Sequence, residues 1–278
     1  MPTSGYITSD DLENVLYQRK IVGQILEQAQ GYGTLANDSL VKQVSVSATH
    51  VSLSTMDSVK VTPDLGELEA ANIDSQSFGS IDVDLKADMI RVAFSDESLL
   101  NATIADPLAL TTKNAAVGFK RTLDNKIATA FGTTPQTTSW DTATQSFLEI
   151  VGTCVGLLEG AKLTGLAVSP ETYWKIAKSL TTGDGRTAGV YIQDKMQFLA
   201  GYDAPINIST SVPANTVYFT STEVPGAYLI RGQAKTETYR DHDKRATILQ
   251  ANIWNAVATN IRQTDDDLNA GVVKVTVT

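Results

Sequence analysis

The feature that most constrains the fold is one long helix, predicted over residues 107–131. Asp106 can cap it, Pro107 can occupy its first position and Gly132 can end it. Its apolar side is formed by residues at helical spacing, namely Ala116, Phe119, Leu123, Ile127 and Ala130. The opposite side is charged and carries Lys113, Lys120, Arg121, Asp124 and Lys126. At 1.5 Å per residue this helix would be roughly 37 Å long, which is long for a compact domain.

The region before this helix, from about 41 to 95, has the residue pattern of β-strands at both ends. Val44 and Val46 alternate with polar residues near its start, and strict alternation returns from 81 to 87. The middle, about 62 to 79, is rich in Asp, Glu, Gly, Ser and Asn and could not build a core of its own. The pattern predicts an extended hairpin that leaves the body of the subunit.

Three aspartates in the returning strand, Asp82, Asp84 and Asp88, raise the question of a metal or acid–base site. Asp82 and Asp84 share one face, about 6–7 Å apart along the strand, and Lys86 adds the opposite charge to it. The apolar positions then change phase, so a bulge or twist is predicted near Met89. No histidine, glycine-rich loop or third carboxylate is placed to complete a cation site. We interpret the aspartates as a solvated or intersubunit strand face.

Composition argues against several classes of function. The 278 residues could form one large domain or two modest ones, and a net charge of −9 gives no basic footprint for nucleic acid. No run approaches the ~18 apolar residues of a membrane-spanning helix, and the N-terminus lacks a signal-peptide pattern. The only histidines are His50 and His242, and the single cysteine, Cys154, lies among apolar neighbours, which favours a buried structural thiol. No catalytic residue, metal or cofactor is assigned.

The second half of the chain predicts an α/β unit followed by short strands. A helix in "TQSFLEIVGTCVGLLEGAK", the strand "GLAVS" and a helix capped by Ser169 form the unit. The stretch "TTPQTTSW" before it is interpreted as a linker. The loop "TTGDGRTAG" fits neither a dinucleotide-binding nor a phosphate-binding pattern. Two late acidic clusters are interpreted as charged turns or loops: Asp241-His242-Asp243 and Asp265-Asp266-Asp267.

Four stretches carry a family resemblance when they are taken in this order. They are "IRVAFSDESLLNATIADPLALTTKNAAVGFKRTLDNKIATAFGT", "GLAVSPETYWKIAKSL", "LAGYDAPINISTSVPANTVYFTS" and "YRDHDKRATILQANIWNAVAT". The first resembles the strand and spine helix, and the second the axial strand, Ser-Pro turn and helix, of the major capsid proteins of tailed double-stranded DNA viruses. The other two are similar to later passages of the same family. Together the stretches cover about residues 60 to 265.

The resemblance implies an α+β chain with the Hong Kong 97-type capsid fold. That fold has an N-terminal arm, an extended β-hairpin loop, a peripheral domain with a long spine helix, and an axial α/β domain. The ranges in this sequence are 1–40 for the N-terminal arm and its helix, 41–95 for the extended-loop hairpin, 96–138 for the peripheral domain with the spine helix, 139–235 for the axial domain, and 236–278 for the return to the peripheral domain.

The resemblance also implies that the main partner of the chain is itself, in hexamers and pentamers of an icosahedral shell around double-stranded DNA. The candidates for inter-subunit contacts are Lys60, Asp64, Leu65, Glu67, Leu68, Ile73, Phe78, Asp184 and Arg186. A portal and separate scaffold or decoration proteins are further expected partners. Contact with packaged DNA should be weak and non-specific, and no membrane contact is expected. The protein would be made in the host cytoplasm and end in the virion.

Two other functions stay open. An encapsulin-type compartment that stores a cargo enzyme shares the fold and suits the chain length, although no encapsulin-like N-terminal pattern is recognised. A carboxylate-based hydrolase would use two of the many acidic residues, but an enzyme should have one strong constellation and the sequence offers only weak ones. The sequence favours a structural shell protein over both.

Overall fold

The structure is a computed structural model of an α+β chain. It describes residues 35–56, 78–95, 107–158, 162–181, 198–199, 202–222, 227–241, 243, 245–259, 261–263 and 268–278. The helices in these residues are α1 (Pro107–Gly132), α2 (Phe147–Leu157) and α3 (Pro170–Thr181). The strands are β1 (Lys42–Ser45), β2 (His50–Met56), β3 (Phe78–Asp84), β4 (Lys86–Ser95), β5 (Thr137–Trp140), β6 (Gly165–Val168), β7 (Phe198–Leu199), β8 (Tyr202–Ile208), β9 (Thr216–Thr220), β10 (Ala227–Asp241), β11 (Ala246–Thr259), β12 (Ile261–Gln263), β13 (Leu268–Ala270) and β14 (Val272–Val277).

A six-stranded mixed sheet holds the largest core. Its order is β5-β14-β9-β6-β8-β7, with β14 parallel to β5 and β6 parallel to β8. Every residue of β6 and β9 is buried. Helices α2 and α3 cover one face, where Phe147, Cys154 and Ile176 join Phe219 in the same cluster. Strands buried on both faces read as continuous apolar runs rather than alternating ones, which is the pattern of "GLAV".

A four-stranded sheet of order β1-β10-β11-β4 lies along α1. Strands β10 and β11 form a long antiparallel hairpin, and β4 pairs with β11 without a register shift from Lys86 to Ser95. Phe119 of α1 packs against Phe94 and Leu249 on the inner face of this sheet. The long helix and the sheet therefore form one layered unit, as the apolar side of α1 predicts.

The antiparallel strand pairing of the predicted hairpin is confirmed, while its extension away from the subunit stays a prediction. Strands β2 and β3 pair antiparallel from His50 opposite Asp84 to Met56 opposite Phe78. Its inner side packs on the four-stranded sheet through a cluster of Val51, Leu53, Ile81, Val83, Leu85, Ile230, Trp254 and Ala258. The connecting segment, residues 57–77, lies outside the described residues.

The two larger sheets meet at a joint formed by the segment 35–41 and the C-terminal half of α1. Leu35 and Leu40 pack with Ile127, Phe131 and Tyr218 in one buried cluster. The segment also crosses the edge of β6 closely. A Cβ added at Gly165 would lie 2.7 Å from the backbone oxygen of Ser39, which is why glycine is required at that position.

The helix boundaries agree with the sequence at most ends. α1 begins at Pro107 and ends at Gly132, and α3 begins at Pro170, with the hydroxyl of Ser169 accepting the backbone N–H of Thr172 at 3.2 Å. The burial of Cys154 is confirmed as well. The predicted N-terminal helix and the loop "TTGDGRTAG" beyond Thr181 lie outside the described residues, as do His242 and the cluster Asp265-Asp266-Asp267.

Two sequence interpretations were wrong. The "TTPQTTSW" stretch is not a linker, because Thr137–Trp140 forms the edge strand β5 beside β14 and Trp140 is fully buried. Asp124 does not belong to the solvent side of α1, since it is 3% exposed. Its carboxylate accepts the backbone N–H of Leu35 at 3.2 Å and the hydroxyl of Ser209 at 3.1 Å.

Each of the two larger sheets contains strands from more than one of the domain ranges that the sequence predicts. The boundary at 138/139 falls inside β5, and the boundary at 235/236 falls inside β10. The C-terminal strand β14 completes the six-stranded sheet, between β5 and β9. The four-stranded sheet takes β10 and β11 from the last third of the chain and β1 and β4 from the first.

Candidate functional site

The predicted inter-subunit residues fall almost entirely outside the described part of the chain. Those in the extended loop and the glycine-rich loop are Lys60, Asp64, Leu65, Glu67, Leu68, Ile73, Asp184 and Arg186. Phe78 is the exception, because it is the first residue of β3 and its backbone pairs with Met56. Their role in contacts between subunits stays a prediction.

The three aspartates of the returning strand do not share a face. Asp82 and Asp84 are exposed on the outer side of β3, as strand alternation predicts. Asp88 lies on the inner face of β4, because the phase changes at Lys86 and Ala87, where the chain leaves the hairpin and joins β11. The predicted bulge near Met89 was wrong for this reason. Among the residues that the structure describes, no three His, Cys, Asp or Glu side chains come together.

The outer side of the hairpin carries one ion pair. His50 Nδ1 and Asp84 Oδ1 lie 2.7 Å apart across the β2–β3 pair, and both side chains are well exposed. The hydrogen bond and the charge of Asp84 raise the pKa of His50 above its ordinary value. Imidazolium is therefore favoured at the base of the hairpin.

The inner face of the four-stranded sheet carries a tighter polar cluster, which we call the Lys126 cluster. The Lys126 ammonium of α1 donates to both carboxylate oxygens of Asp88, at 2.8 and 2.7 Å, and to Oδ1 of Asn255 at 2.7 Å. The Asn255 amide nitrogen donates to Asp88 Oδ2 at 2.8 Å. The sequence suggested that Lys126 faces solvent, but its side chain is only 31% exposed.

The Lys126 cluster lies beside a groove of about 540 Å³ between α1, β11 and the base of the hairpin. Its wall on the helix side includes Thr122, Asn125 and Thr129, and its far side includes Val83 and Val257. The groove is lined by hydroxyl, amide, ammonium and methyl groups in close succession.

The hairpin covers one end of the outer face of the four-stranded sheet, around Ile230, Trp254 and Ala258. The described residues leave the other end uncovered, and we call that end the open face. Residues directly opposite one another in paired strands share a face, so Met89, Arg91 and Ala93 of β4 share theirs with Lys235, Glu237, Tyr239, Ile248, Gln250 and Asn252. Met89 is 54% exposed and Tyr239 is 39% exposed. The Arg91 guanidinium lies 5.6 Å from the centre of the Tyr239 ring. Aromatic, methionine and arginine side chains are the ones enriched at protein interfaces.

A second exposed anchor is Trp174 on α3, which is 71% exposed. Tyr173 and Ile176 belong to the buried apolar side of the helix, and Trp174 lies outside that side. Sequence reasoning missed it, although a tryptophan outside the helical spacing of Tyr173, Ile176 and Ala177 was the available signal. Tryptophan is the residue type most often found to dominate binding energy at interfaces.

The remaining reactive candidates are structural in the described residues. Burial raises the pKa of the Cys154 thiol to about 12, so it carries no thiolate at neutral pH and is a poor nucleophile. Asp241 and Asp243 lie at the turn between β10 and β11, where Asp241 Oδ1 accepts the backbone N–H of Asp243 at 3.2 Å. No described helix is both long and apolar enough to cross a membrane.

Comparison with known proteins gives a fold and no sequence match. No family model and no curated protein matches the chain. Its structure is similar to that of a Microbacterium phage Oxtober96 chain, with a TM-score of 0.65 at 12% identity over 87% of this chain and 91% of that one. The capsid of a native GTA particle gives a TM-score of 0.65 at 14% identity, over 88% and 90%. A virus-like particle from Pyrococcus furiosus gives 0.57 at 10% identity, over 93% and 99%.

At these identities the similarity is one of fold, and it extends over nearly all of the chains compared. Less than a seventh of this chain is left uncovered in either of the first two comparisons. The resemblance in the sequence predicts the same result. The chain has the fold of tailed-phage capsid proteins.

Proposed function

We propose that this chain is the major capsid protein of a tailed double-stranded DNA virus. Copies of it assemble into hexamers and pentamers of an icosahedral shell that encloses the genome. The observation that carries the proposal is the coverage of the fold, since 88% of this chain matches 90% of a chain in a GTA capsid.

The surface chemistry supports self-assembly. The open face belongs to the four-stranded sheet, whereas Trp174 lies on α3, the helix that packs on the six-stranded sheet, so one subunit presents two separate surfaces. A subunit of a closed shell needs at least two different contact surfaces, because a single two-fold contact stops at a dimer. Exposed Met89, Tyr239 and Trp174 would each lose contact with water at such contacts, and burial of a large apolar side chain is worth about 1.5–3 kcal/mol.

The charge of the chain fits a container for DNA that does not hold it tightly. A net charge of −9 keeps contact with the genome weak and non-specific. A portal and separate scaffold or decoration proteins would supply the functions that this single fold lacks. In this proposal the chain is made in the host cytoplasm and ends in the virion as a structural protein without catalytic activity.

A compartment that stores a cargo enzyme is the second candidate. It is favoured by one observation, the similarity to a virus-like particle over 93% of this chain and 99% of that one. The two candidates share the shell and differ in its contents. A carboxylate-based hydrolase has no comparable support, since Asp82 and Asp84 are exposed and Asp88 is engaged with Lys126.

The experiment is assembly of the purified full-length chain, followed by light scattering and negative-stain electron microscopy. Uniform closed shells or ring-shaped capsomers are expected. Nuclease-protected DNA in particles from infected cells supports the capsid, whereas a co-purifying protein of fixed stoichiometry supports the compartment. A chain that stays monomeric at high concentration, with and without crowding agents, contradicts both.

The extended loop offers a variant that separates folding from assembly. Met56 and Phe78 are directly paired, so residues 57–77 can be replaced by an Asn-Gly turn without a change in register. We expect a soluble protein that melts cooperatively and forms no shells. Normal shells from this variant would show that the loop is not needed between subunits. The cooperative melting transition is the control for correct folding.

A further inference from the structure

We propose that residues 35–41 form a strap that fixes the angle between the two larger sheets, and that this angle sets the curvature of the shell. The first half of the proposal concerns a single chain, and the second half rests on the proposed function. The strap leads directly into β1. It lies at the joint, where it packs in one buried cluster with α1 and with residues of both sheets.

One end of the strap belongs to the four-stranded sheet. Val41 runs directly into β1, whose four residues pair in parallel with β10. The side chains of Leu35 and Leu40 are almost completely buried in the joint. The strap therefore cannot leave the four-stranded sheet without the loss of a strand pairing and of buried apolar surface.

The middle of the strap is tied to the six-stranded sheet by hydrogen bonds from side chains. The carbonyl oxygen of Ser39 accepts the hydroxyl of Thr164 at 2.8 Å and that of Thr220 at 3.3 Å. The Asn37 amide nitrogen donates to Oδ1 of Asn207 at 2.7 Å. These bonds reach the ends of three adjacent strands, β9, β6 and β8. Hydrogen bonds of this kind can be exchanged for bonds to water, so this attachment is the weaker of the two.

A further tie holds the start of the strap to α1. The buried carboxylate of Asp124 accepts the backbone N–H of Leu35 at 3.2 Å and the hydroxyl of Ser209 at 3.1 Å. One side chain of the long helix thus joins the strap to the residue that follows β8. The strap also lies close against β6, since a Cβ added at Gly165 would lie 2.7 Å from the backbone oxygen of Ser39.

The angle between the sheets sets the relative direction of the two candidate contact surfaces. The open face belongs to the four-stranded sheet, and Trp174 lies on α3, which packs on the six-stranded sheet. A rotation of one sheet against the other would turn one surface relative to the other. The relative direction of successive contacts decides how an assembly of identical chains closes. A tight strap therefore favours one shell diameter.

The first half is tested on free subunits with the double variant Asn37→Ala/Thr164→Val, which removes ties to the six-stranded sheet. The N–H groups of Leu40 and Val41 donate to the carbonyl oxygen of Asn37 in the strap. Their hydrogen exchange should become faster by roughly fivefold or more, while the amides of β9 keep their rate.

The angle itself is measured with spin labels on cysteines introduced by Met89→Cys and Trp174→Cys, one beside each sheet. Cys154 is buried and stays unlabelled. The distance distribution should be wider in the double variant than with the wild-type strap. Thr153→Val is the matched control, because its hydroxyl donates to Glu149 within α2, and it should leave the distribution unchanged.

An unchanged distance distribution, or exchange that rises equally in β9, would overturn the strap. If the double variant does not melt cooperatively, the same measurements on Asn37→Ala alone decide the question. Its side chain is only partly buried, so this single change should leave the subunit folded.

The second half is tested by assembly of the unlabelled chains, with shell diameters measured by electron microscopy. The wild type and Thr153→Val should form shells of one diameter, and the strap variant should form shells of several. Folded variant subunits that give the wild-type diameter alone, or no shells, would overturn the link to curvature. If the wild type forms no shells, the proposed function and this link fail together, whereas the measurements on free subunits still decide whether the strap fixes the sheets.

Discussion

The two larger sheets differ in how completely this chain covers them by itself. The six-stranded sheet has α2 and α3 on one face and the joint with α1 on much of the other, and every residue of β6 and β9 is buried. In the described residues, the four-stranded sheet has α1 on its inner face and the hairpin on only part of its outer face. Its open face leaves Met89 at 54% exposure and Tyr239 at 39%. Within the described part of the chain, one sheet is covered on both faces, and the other keeps part of one face exposed to a possible neighbour.

This difference between the sheets predicts that stability and assembly depend on different residues. Substitutions in the six-stranded sheet should unfold the subunit, because a large core is lost, and should disturb assembly only as a consequence. Substitutions on the open face or at Trp174 should leave the subunit folded and change how copies associate. The four predictions that follow test this separation, in order of decreasing effect on the free energy of unfolding.

Phe219→Ala should have the largest effect. Phe219 is fully buried in the six-stranded sheet, 6.1 Å from the centre of the Phe147 ring. Loss of a buried phenylalanine leaves a cavity and costs about 3–5 kcal/mol. Met89→Ala on the open face should change the free energy of unfolding by less than about 0.5 kcal/mol. Urea unfolding of both variants checks the comparison, and equal losses would contradict it.

Gly165→Ala should have an intermediate effect at the joint between the sheets. The added methyl would lie 2.7 Å from the backbone oxygen of Ser39 and 2.9 Å from Leu40 Cδ2. Overpacking of this kind costs about 1–3 kcal/mol. The matched control is Gly152→Ala on α2, where nothing lies within 4 Å and a gain of about 0.5–1 kcal/mol is expected. If Gly165→Ala raised the melting temperature as Gly152→Ala does, the close contact at the joint would be contradicted.

Trp174→Ser should alter association and leave stability unchanged within about 0.5 kcal/mol. A tryptophan buried at an interface is commonly worth about 2 kcal/mol or more, so the critical concentration for assembly should rise roughly tenfold or more. Light scattering against concentration measures it. Trp174→Tyr keeps an aromatic ring and should assemble nearly as the wild type does. Unchanged assembly in Trp174→Ser would remove this residue from the contact surfaces.

The His50–Asp84 pair should have the smallest effect, and one that depends on pH. Because the folded protein raises the pKa of His50 above its ordinary value, the pair stabilises the hairpin fully below that ordinary value. The contribution disappears as pH rises through the higher folded pKa. An NMR titration of His50 should show the raised pKa, and Asp84→Asn should return it toward the ordinary value. Identical titrations in the two proteins would contradict the pairing.

Features encoded by neighbouring residues could be predicted from the sequence. Pro107 and Gly132 bound α1, Ser169 caps α3, and period-two alternation identifies the outer side of β3. These features depend on a proline ring, a missing Cβ, a hydroxyl group or the pleat of a strand. None of them requires knowledge of a distant partner.

Features set by distant partners could not be predicted. The partners of Asp124, Leu35 and Ser209, are 89 and 85 residues away, so its burial is invisible from the helix alone. The "TTPQTTSW" stretch has the composition of a linker but becomes a strand because it pairs with β14 at the end of the chain. The phase change in the returning strand falls at Lys86 because β4 pairs with β11 from that residue onward.

The proposed division between a self-sufficient sheet and a sheet completed by a neighbour has one direct test, a three-dimensional reconstruction of the assembled particle by electron microscopy. We expect hexamers and pentamers in which another copy of the chain covers the open face around Met89, Arg91 and Tyr239. Trp174 should contact a neighbouring copy, and the six-stranded core should be the same in every subunit. Particles in which the open face and Trp174 stay in solvent, or subunits that hold together through other surfaces, would contradict the account.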